Sequence, residues 1–331
     1  MTIDATARAH PNMALVKYWG KRDEQIMLPS TGSLSMTLDE FPTTTTVQLR
    51  EDDGPDVLEL NGAVAAGEPL RRVTHFLDLV RERSGSEARA IVRSRNEGPT
   101  GAGLASSASG FAALATAASA VYELPQDARS LSRLARRGSG SACRSIIDRM
   151  AVWHAGEDDA TSFAEQIEAP ELAMVVVVVD AGGKKVSSRE AMRLTAATSP
   201  FAAAWRESTA RTLEEMLAAC REGDVERIGE LAETNALRMH AVIQSTVPSV
   251  RYLRGASVGV FDAIEQLRAD GLQAWGTADA GPNVVAITRP ADAAAVADAL
   301  AGHGAVRVVR PGPGARLIDE RVAPVSTGEA R

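Results

Sequence analysis

Residues with possible chemical roles stand in short segments of small residues. VKYWGK carries Lys17 and Lys21 four positions apart, and TADAGPN carries Asp279. Two lysines beside a glycine can neutralise a polyphosphate, and a carboxylate in a turn of small residues can lie close to a substrate. Both segments also have simpler interpretations, because lysine is usually a solvated surface charge and an Asp before Gly-Pro often forms an ordinary turn.

Two further segments combine arginine with turns of glycine and serine. ARRGSGSACRS holds Arg136, Arg137 and Arg144, and GGKKVSSREAM holds Lys185 and Arg189. Glycine and serine expose N–H and O–H donors, and arginine binds carboxylate or phosphate through two parallel hydrogen bonds. The alternative for the first segment is a helix–helix turn with surface arginines. Taken together, the segments predict a ligand with several negative charges.

The stretch PTGAGLASSASG, residues 99–110, is either a flexible linker or a loop that wraps a phosphate. It follows a strand-like segment and precedes apolar residues at helical spacing. This position favours the phosphate loop, because a helix N-terminus offers free N–H groups to an anion and glycine permits close approach of the backbone. The stretch matches neither the Walker A nor the GxGxxG pattern.

Composition narrows the class of protein. The 331 residues, 45% hydrophobic and 24% charged, are typical of a globular protein of one large domain or two. The net charge of −7 and the 4% aromatic content argue against a nucleic-acid partner. The most apolar run, residues 172–179, is shorter than the roughly 20 residues of a membrane span. The sequence shows neither a signal-peptide pattern, nor the metal-binding HExxH motif, nor the GxSxG motif of serine hydrolases. Cys143 and Cys220 are expected to be buried, reduced thiols of a cytoplasmic protein.

The pattern of elements predicts an α+β protein. In the first half it indicates strands at 43–50 and 57–60, a helix at 68–84, a strand before the glycine-rich stretch, a helix after it and a buried strand ending near residue 180. In the second half it indicates helices on one face of a small sheet. The predicted elements there are helices near 201–222, 225–245, 257–270 and 291–302 and strands near 272–276, 283–289 and 304–310.

Six segments, in order from about residue 9 to 290, closely resemble the mevalonate diphosphate decarboxylases of the GHMP kinase superfamily. They are NMALVKYWGKRDE, LPSTGSLSMTL, PTGAGLASSASGFAALA, RRGSGSACRS, VSSREAM and DAGPN. KYWGK and RRGSGSACRS separate this family from its galactokinase, homoserine kinase and mevalonate kinase relatives. The departures are small: Gly101 stands where many relatives have alanine, and Met13 where isoleucine is common.

The resemblance implies the GHMP kinase fold, in which a domain like the second domain of ribosomal protein S5 precedes a ferredoxin-like α/β sandwich. We expect an ATP-binding domain over residues 1–184 and a domain with the catalytic aspartate over residues 185–331. The implied cofactors are ATP and Mg²⁺, and the implied substrate is mevalonate 5-diphosphate. The 3-hydroxyl would be phosphorylated, and phosphate and CO2 would then leave, giving isopentenyl diphosphate. The resemblance also implies a homodimer with neither a nucleic-acid nor a membrane partner.

The resemblance also assigns residues, motif by motif. It implies that Asp279 lies near the 3-hydroxyl with Lys17 beside it, that Arg144 holds the substrate carboxylate and that Asn12 orders this network. The residues implied for the ATP phosphates are Pro99, Gly101, Gly103, Leu104, Ala105, Ser106, Ser107 and Ser109. The residues implied for the rest of the substrate are Tyr18, Lys21, Ser139, Gly140, Ser141, Ser188, Arg189 and Met192. The Mg²⁺ ligands and the adenine pocket are not identified.

Three other functions stay open. A decarboxylase of mevalonate 5-phosphate, giving isopentenyl phosphate, would use the same chemistry on a shorter anion. A mevalonate 3-kinase would stop before decarboxylation, although relatives of that type lack the set of Asp279, Lys17 and Arg144. A non-catalytic sensor would bind a nucleotide and a phosphorylated metabolite without turnover.

Overall fold

The computed structural model describes residues 3–97, 106–180, 182 and 185–324. Within these residues the strands are β1 (Asp4–Ala9), β2 (Asn12–Val16), β3 (Lys21–Asp23), β4 (Leu28–Pro29), β5 (Ser33–Thr37), β6 (Thr43–Leu49), β7 (Val57–Leu60), β8 (Ala63–Ala65), β9 (Ala90–Asn96), β10 (Met150–Trp153), β11 (Ala164–Gln166), β12 (Ala173–Val178), β13 (Ala274–Thr277), β14 (Val284–Thr288), β15 (Ala305–Val309) and β16 (Arg316–Ile318). The α-helices are α1 (Glu68–Ser84), α2 (Ser106–Val121), α3 (Ala128–Gly138), α4 (Ala142–Ser145), α5 (Ser188–Thr198), α6 (Ala202–Glu222), α7 (Val225–Gln244), α8 (Gly255–Ala269) and α9 (Ala293–Leu300).

The predicted α+β class is confirmed, and the predicted elements of both halves are present within a few residues of their expected bounds. The sequence analysis did not indicate several elements, among them β1, β2, β5, α3 and α5, and some of these are buried on both faces. β2 and β5 are examples, since every residue of each is buried and the alternation of a half-exposed strand is absent.

The first sheet is covered by α2. Its strand order is β16-β1-β6-β9-β7-β8, antiparallel except for the β7–β9 pair. α2 lies against β1 and β6 through fully buried alanines, among them Ala112, Ala115 and Ala118. Small side chains allow this close approach, and near the N-terminus of α2 the hydroxyl of Ser109 lies 2.8 Å from that of Thr43, the first residue of β6.

The second sheet, β11-β10-β5-β2, separates two cores. On one side Trp153 of β10 packs with α2, α3 and α4. On the other side Leu15 of β2 and Leu34 of β5 pack with α6, α7 and the third sheet. β2 is therefore held from both faces at the point where it leads into the KYW segment, residues 17–19.

The third sheet, β13-β14-β12-β15, has helices against both faces. Val175 and Val177 of β12 pack with α8 and α9, whereas Met174 and Val176 pack with α6, α7 and the second sheet. The expectation of helices on one face only is therefore wrong. The reason is that β12 is apolar on both faces, which requires burial on both.

The strand β12 belongs with the C-terminal half of the chain. It pairs antiparallel with β14 and β15. The expected boundary at residues 184 and 185 therefore does not coincide with the division between the sheets, which lies before Ala173. β16, near the other end, returns to the first sheet and pairs with β1.

Helix α7 approaches the third sheet closely at Gly229. A Cβ placed on Gly229 would lie 2.0 Å from a ring atom of Trp275 on β13, and that indole is almost fully buried. Gly259 of α8 has nothing within 4 Å of such a Cβ. The absence of a side chain at Gly229 therefore determines how close α7 lies to β13.

We expect Gly229→Ala and Gly259→Ala to change stability in opposite directions. Gly229→Ala forces Trp275 to move and destabilises the fold by about 1–3 kcal/mol. Gly259→Ala, within a helix and in open space, stabilises it by about 0.4–1 kcal/mol through the helix propensity of alanine. Urea unfolding followed by circular dichroism measures both changes, and equal effects of the two substitutions would contradict the close approach.

Candidate active site

Lys17 and Asp279 form an ion pair between the two halves of the chain. The ammonium nitrogen Nζ of Lys17 lies 2.7 Å from Oδ1 of Asp279 and donates a second hydrogen bond, also 2.7 Å, to the Ala14 carbonyl. The Lys17 side chain is 1% exposed, and that of Asp279 is 27% exposed. The lysine is thus buried behind the aspartate, and the carboxylate faces a cavity.

Local structure explains both positions. Lys17 is the first residue after β2, and its backbone N–H donates to Oδ1 of Asn235 at 2.8 Å. Asp279 lies in the turn between β13 and β14, where its carbonyl accepts from the N–H of Gly281 at 2.7 Å. The turn of small residues holds the carboxylate at the edge of the third sheet.

Burial lowers the pKa of Lys17 below the usual lysine value. The adjacent Asp279 raises this pKa in part, and the nearby Arg144 lowers it again. A buried ammonium is stable only when paired, so Asp279 is required to keep Lys17 charged. The pair can orient a hydroxyl at the carboxylate and stabilise negative charge that develops beside it.

Arg144 and Asn12 form a second buried group beside the pair. Oδ1 of Asn12 accepts from Nε and Nη2 of Arg144, each at 3.2 Å, and the Asn12 amide nitrogen donates to Oγ of Ser145 at 2.8 Å. Nη1 of Arg144 donates to the hydroxyl of Ser33. The guanidinium lines the cavity and is almost fully buried, so it can hold an anionic group of a ligand with little competition from water.

The segment ARRGSGSACRS includes the turn between α3 and α4, as the alternative interpretation predicted, but its expectation of surface arginines is wrong, because Arg136 and Arg144 are both buried. Ser139 ends α3, and a Cβ on Gly140 would lie 2.7 Å from the Tyr18 ring. Ser139, Gly140 and Ser141 all line the cavity. The arginines of ARRGSGSACRS have different surroundings. Arg144 faces the cavity, whereas Arg136 is buried and pairs with Asp159, with 2.6 Å between Nη2 of Arg136 and Oδ1 of Asp159.

Tyr18 presents a buried hydroxyl to the same cavity. Its ring packs edge-on against Trp153, and its hydroxyl has no hydrogen-bond partner among the residues that the structure describes. Burial raises the pKa of Tyr18, so the group stays a neutral phenol. An unpaired buried donor of this kind is available to a ligand oxygen.

Helix α5 and Lys21 complete the polar end of the cavity. Ser188 and Arg189 belong to the first turn of α5, and Met192 lies one turn further, in an apolar cluster with Trp19. Lys21 faces Arg189, and burial followed by this arginine lowers the pKa of Lys21 to about 8. The cations repel one another without an anion between them, and a bound anion would relieve this repulsion.

The cavity has a volume of about 850 Å³ and two chemically distinct ends. Four basic side chains line the polar end, namely Lys17, Lys21, Arg144 and Arg189, and Arg72 lies between this end and the Phe111 ring, 5.0 Å from that ring. Apolar side chains form a slot at the other end, namely Leu58, Pro69, Val73, Val92, Phe111 and Leu114. The size is within the range of sites for ligands of nucleotide size.

The residues expected to hold the ATP phosphates are only partly described. Pro99, Gly101, Gly103, Leu104 and Ala105 lie outside the described residues, and Ser106 begins α2. Ser107 and Ser109 line the cavity at the N-terminus of α2. The Ser107 hydroxyl lies 3.3 Å from the Ser139 hydroxyl, and the Ser109 hydroxyl lies 2.8 Å from the Thr43 hydroxyl.

Several residues of the site were not found from the sequence. Arg72 lines the cavity from α1 with its guanidinium 5.0 Å from the Phe111 ring, and Ser33 binds Arg144. Asn235 and His240 lie behind the Lys17–Asp279 pair. No local motif marks these residues, and a buried asparagine in the middle of a predicted helix is the one signal that could have identified Asn235.

The described ranges hold neither a candidate metal cluster nor a candidate membrane span. No group of three or more His, Cys, Asp or Glu side chains there could hold a metal ion. No described helix combines the length and apolar character needed to cross a membrane. Cys143 and Cys220 are free and buried, as expected.

Comparisons with known proteins agree with this geometry. Residues 9–164 match the model of the diphosphomevalonate decarboxylase-like N-terminal domain, and residues 174–306 match that of the mevalonate 5-diphosphate decarboxylase C-terminal domain. The chain is 36% identical over 300 residues to the diphosphomevalonate decarboxylase of Candida albicans, covering 85% of this chain and 83% of the relative. The chain is 37% identical over 308 residues to the human diphosphomevalonate decarboxylase, and the match covers 86% of this chain and 76% of the human one.

Solved structures extend the similarity to the whole fold. The mevalonate diphosphate decarboxylase of Staphylococcus aureus superposes with a TM-score of 0.92 at 38% identity, covering 96% of this chain and 99% of that one. The structure described as MDDEF in complex with MVAPP, AMPPCP and magnesium superposes with a TM-score of 0.92 at 42% identity, and the match covers 97% of this chain and 100% of that one. The fold implied by the resemblance is confirmed, and the chain belongs to the diphosphomevalonate decarboxylase family.

Proposed function

We propose that this chain catalyses the ATP-dependent decarboxylation of mevalonate 5-diphosphate to isopentenyl diphosphate, with release of ADP, phosphate and CO2. The observation that carries the proposal is the Lys17–Asp279 pair at a cavity that also presents Arg144. A carboxylate paired with a buried lysine and set near further cations suits a substrate that has one reacting hydroxyl and several negative charges.

In the first step, phosphoryl transfer, Asp279 accepts or orients the proton of the tertiary 3-hydroxyl. Such an alcohol is a poor nucleophile, so its alignment with the γ-phosphoryl group supplies much of the catalysis. The ammonium of Lys17, 2.7 Å from the carboxylate, orients Asp279 and offsets charge that develops on the transferred group. The Ala14 carbonyl and Asn235 hold the lysine in place.

In the second step phosphate leaves C3 and positive charge builds there. The C–C bond to the carboxylate then breaks, its electron pair forms the C=C bond of the product, and CO2 departs. Arg144 would hold the substrate carboxylate for this step, with its own orientation set by Asn12 and Ser33. Because the guanidinium keeps its charge at any physiological pH, the carboxylate is held in its reactive ionised form.

The remaining polar groups suit the diphosphate of the substrate. The Tyr18 hydroxyl, Lys21, Arg189 and the Ser139–Ser141 turn line the same end of the cavity. Two phosphates can contact both Lys21 and the turn, and the mutual repulsion of the cations favours the more highly charged anion. This supports the diphosphate over mevalonate 5-phosphate, the second candidate substrate.

The other cavity end suits ATP. The apolar slot that contains Leu58, Val92 and Phe111 can receive the adenine ring, and the N-terminus of α2 with Ser107 can receive phosphates. Mg²⁺ commonly takes few protein ligands and many phosphate and water oxygens, which fits the lack of an acidic cluster in the described residues. The Ser107 hydroxyl, which lines the cavity at the N-terminus of α2, would supply a protein oxygen ligand to the ion. When bound, the ion neutralises phosphate charge.

We also propose that the N-terminal half binds ATP while the C-terminal half supplies Asp279, and that the enzyme is a cytoplasmic homodimer. Free, buried Cys143 and Cys220 support a reducing compartment. Phe201 and Val247 are exposed and lie on adjoining segments, one just before α6 and the other just after α7. The two segments are connected by a hydrogen bond from the Val247 N–H to Thr198. Exposed apolar side chains at one place on the surface support a contact between subunits.

An assay with three substrates tests the function. The protein is incubated with ATP, Mg²⁺ and mevalonate that carries no, one or two phosphates, and CO2, phosphate and ADP are measured. We expect equal amounts of all three products with the 5-diphosphate. ADP without CO2 would contradict a decarboxylase, and lack of turnover with every substrate would indicate the sensor.

Replacing Asp279 should remove catalysis but leave ATP binding intact. We expect Asp279→Asn to lower kcat by at least about 10²-fold, because the amide neither accepts the proton nor keeps Lys17 charged. Calorimetric titration with a non-hydrolysable ATP analogue should give an unchanged Kd. Asp262→Asn, on the exposed face of α8, is the matched control, and a kcat within tenfold of that control would refute the role.

Lys21 should determine the alkaline limit of substrate binding. Since its pKa is lowered to about 8, Lys21 loses its charge as pH rises through this value, and KM for the diphosphate should rise by up to about tenfold per pH unit above it. Lys21→Arg should flatten this rise, because arginine stays charged. Lys185→Arg, outside the cavity lining, is the control, and an unaltered pH profile of KM in Lys21→Arg would contradict the assignment.

A further inference from the structure

Asn235 connects helix α7 to the backbone of the catalytic lysine. The residue is fully buried, and its Oδ1 accepts from the N–H of Lys17 at 2.8 Å. Its amide nitrogen donates to Oγ1 of Thr209 on α6 at 3.3 Å. Thr209 is itself fully buried, so the orientation of the amide is determined at both ends.

This contact substitutes for strand pairing. β2 ends at Val16, and its pairing with β5 is already irregular between Ala14 and Val16. The N–H of Lys17 therefore takes its partner from α7 instead of from a strand. Asparagine is a poor helix former, and its place in the middle of α7 has a physical reason only in these two hydrogen bonds.

The same helix also lies behind the aspartate. His240 is buried five residues after Asn235, and its ring nitrogens face the carbonyl groups of Ala278 and Asp279 without reaching hydrogen-bond geometry. Burial and the nearby Lys17 lower the pKa of His240 to about 4, so it is a neutral imidazole. α7 thus contacts both partners of the ion pair, and it adds no charge to it.

We propose that Asn235 is a positioning residue, through which α7 sets the place of Lys17 relative to Asp279. It does not line the cavity, and it acts only through the lysine backbone. The inference rests on the function proposed above. Loss of its acceptor leaves a buried N–H without a partner and frees residue 17 to move, and a displacement of about 1 Å at a reacting group can lower the rate by about 10²-fold.

Steady-state kinetics of Asn235→Ala test the proposal. We expect kcat to fall by about 10- to 100-fold, while KM for ATP and for mevalonate 5-diphosphate changes by less than about twofold. The control is Thr288→Val, which removes another buried hydrogen bond of the C-terminal half, 2.6 Å from Oγ1 to the Gln273 carbonyl. Thr288 pairs with Ala274 at the end of the β13–β14 hairpin opposite the Asp279 turn. A kcat for Asn235→Ala within about twofold of the control would overturn the proposal.

Two further variants separate positioning from general destabilisation. Thr209→Val removes the partner of the Asn235 amide nitrogen but keeps the asparagine. It should reduce kcat by a smaller factor than Asn235→Ala does, again at constant KM. A kcat of Thr209→Val equal to that of Thr288→Val overturns the proposal even if Asn235→Ala does not fold. Asn235→Asp keeps the acceptor and should recover most of the lost kcat.

The pH profile of kcat adds a readout that a purely structural role would not change. The charged and titratable groups that face Lys17 are Asp279, Arg144 and His240. The new carboxylate in Asn235→Asp favours the ammonium form, so the alkaline limb of kcat should move to higher pH. If Asn235→Asp neither shifts the alkaline limb of kcat nor recovers the kcat lost in Asn235→Ala, the proposal is overturned. If the unchanged enzyme itself released no CO2, the proposed function would fail first and separately.

Discussion

The buried ammonium of Lys17 is the constraint on which the rest of the site depends. Taking a charge out of water costs several kcal/mol unless it is paired and hydrogen-bonded. Its partner Asp279 is 262 positions away in the chain, so the two halves must pack in one arrangement for the charge to be tolerated. The Ala14 carbonyl accepts a second hydrogen bond from the ammonium, and Asn235 accepts one from the backbone N–H of Lys17, so the lysine is fixed while the partly exposed carboxylate faces the cavity.

A second constraint is the excess of positive charge in the cavity of an acidic protein. Lys17, Lys21, Arg72, Arg144 and Arg189 line it, whereas the acidic side chains among its described lining are Glu68 and Asp279. Burial, and after it the repulsion from Arg189, lowers the pKa values of Lys21 and Arg72, which shows that the free site is electrostatically unfavourable. A polyanionic ligand relieves this repulsion, and so binding and charge neutralisation come from the same groups.

Much of the fold was predictable because its periodic elements are long and one-sided. The amphipathic helix α1 follows from its apolar periodicity, and strand β6 follows from its run of β-branched threonines. β2 and β5 were not predicted, since burial on both faces removes the alternation, and the apolar faces of β12 led to the wrong expectation for the third sheet. Local pattern indicates that a strand is apolar, but which layers cover it depends on segments far away in the chain.

The sequence by itself determined the kinds of chemistry available, because each reactive residue stands in a short motif that can be read locally: Lys17 in KYWGK, Arg144 in SGSACR and Asp279 in DAGPN. The tertiary structure alone decided which arginine faces the ligand, since Arg144 and Arg136 look alike in the segment but only Arg144 lines the cavity. It alone also revealed Asn235, Arg72 and the apolar slot. The physical reason is that motifs record residue type and spacing, whereas burial, pairing and the distance between charges arise only when separate segments pack together.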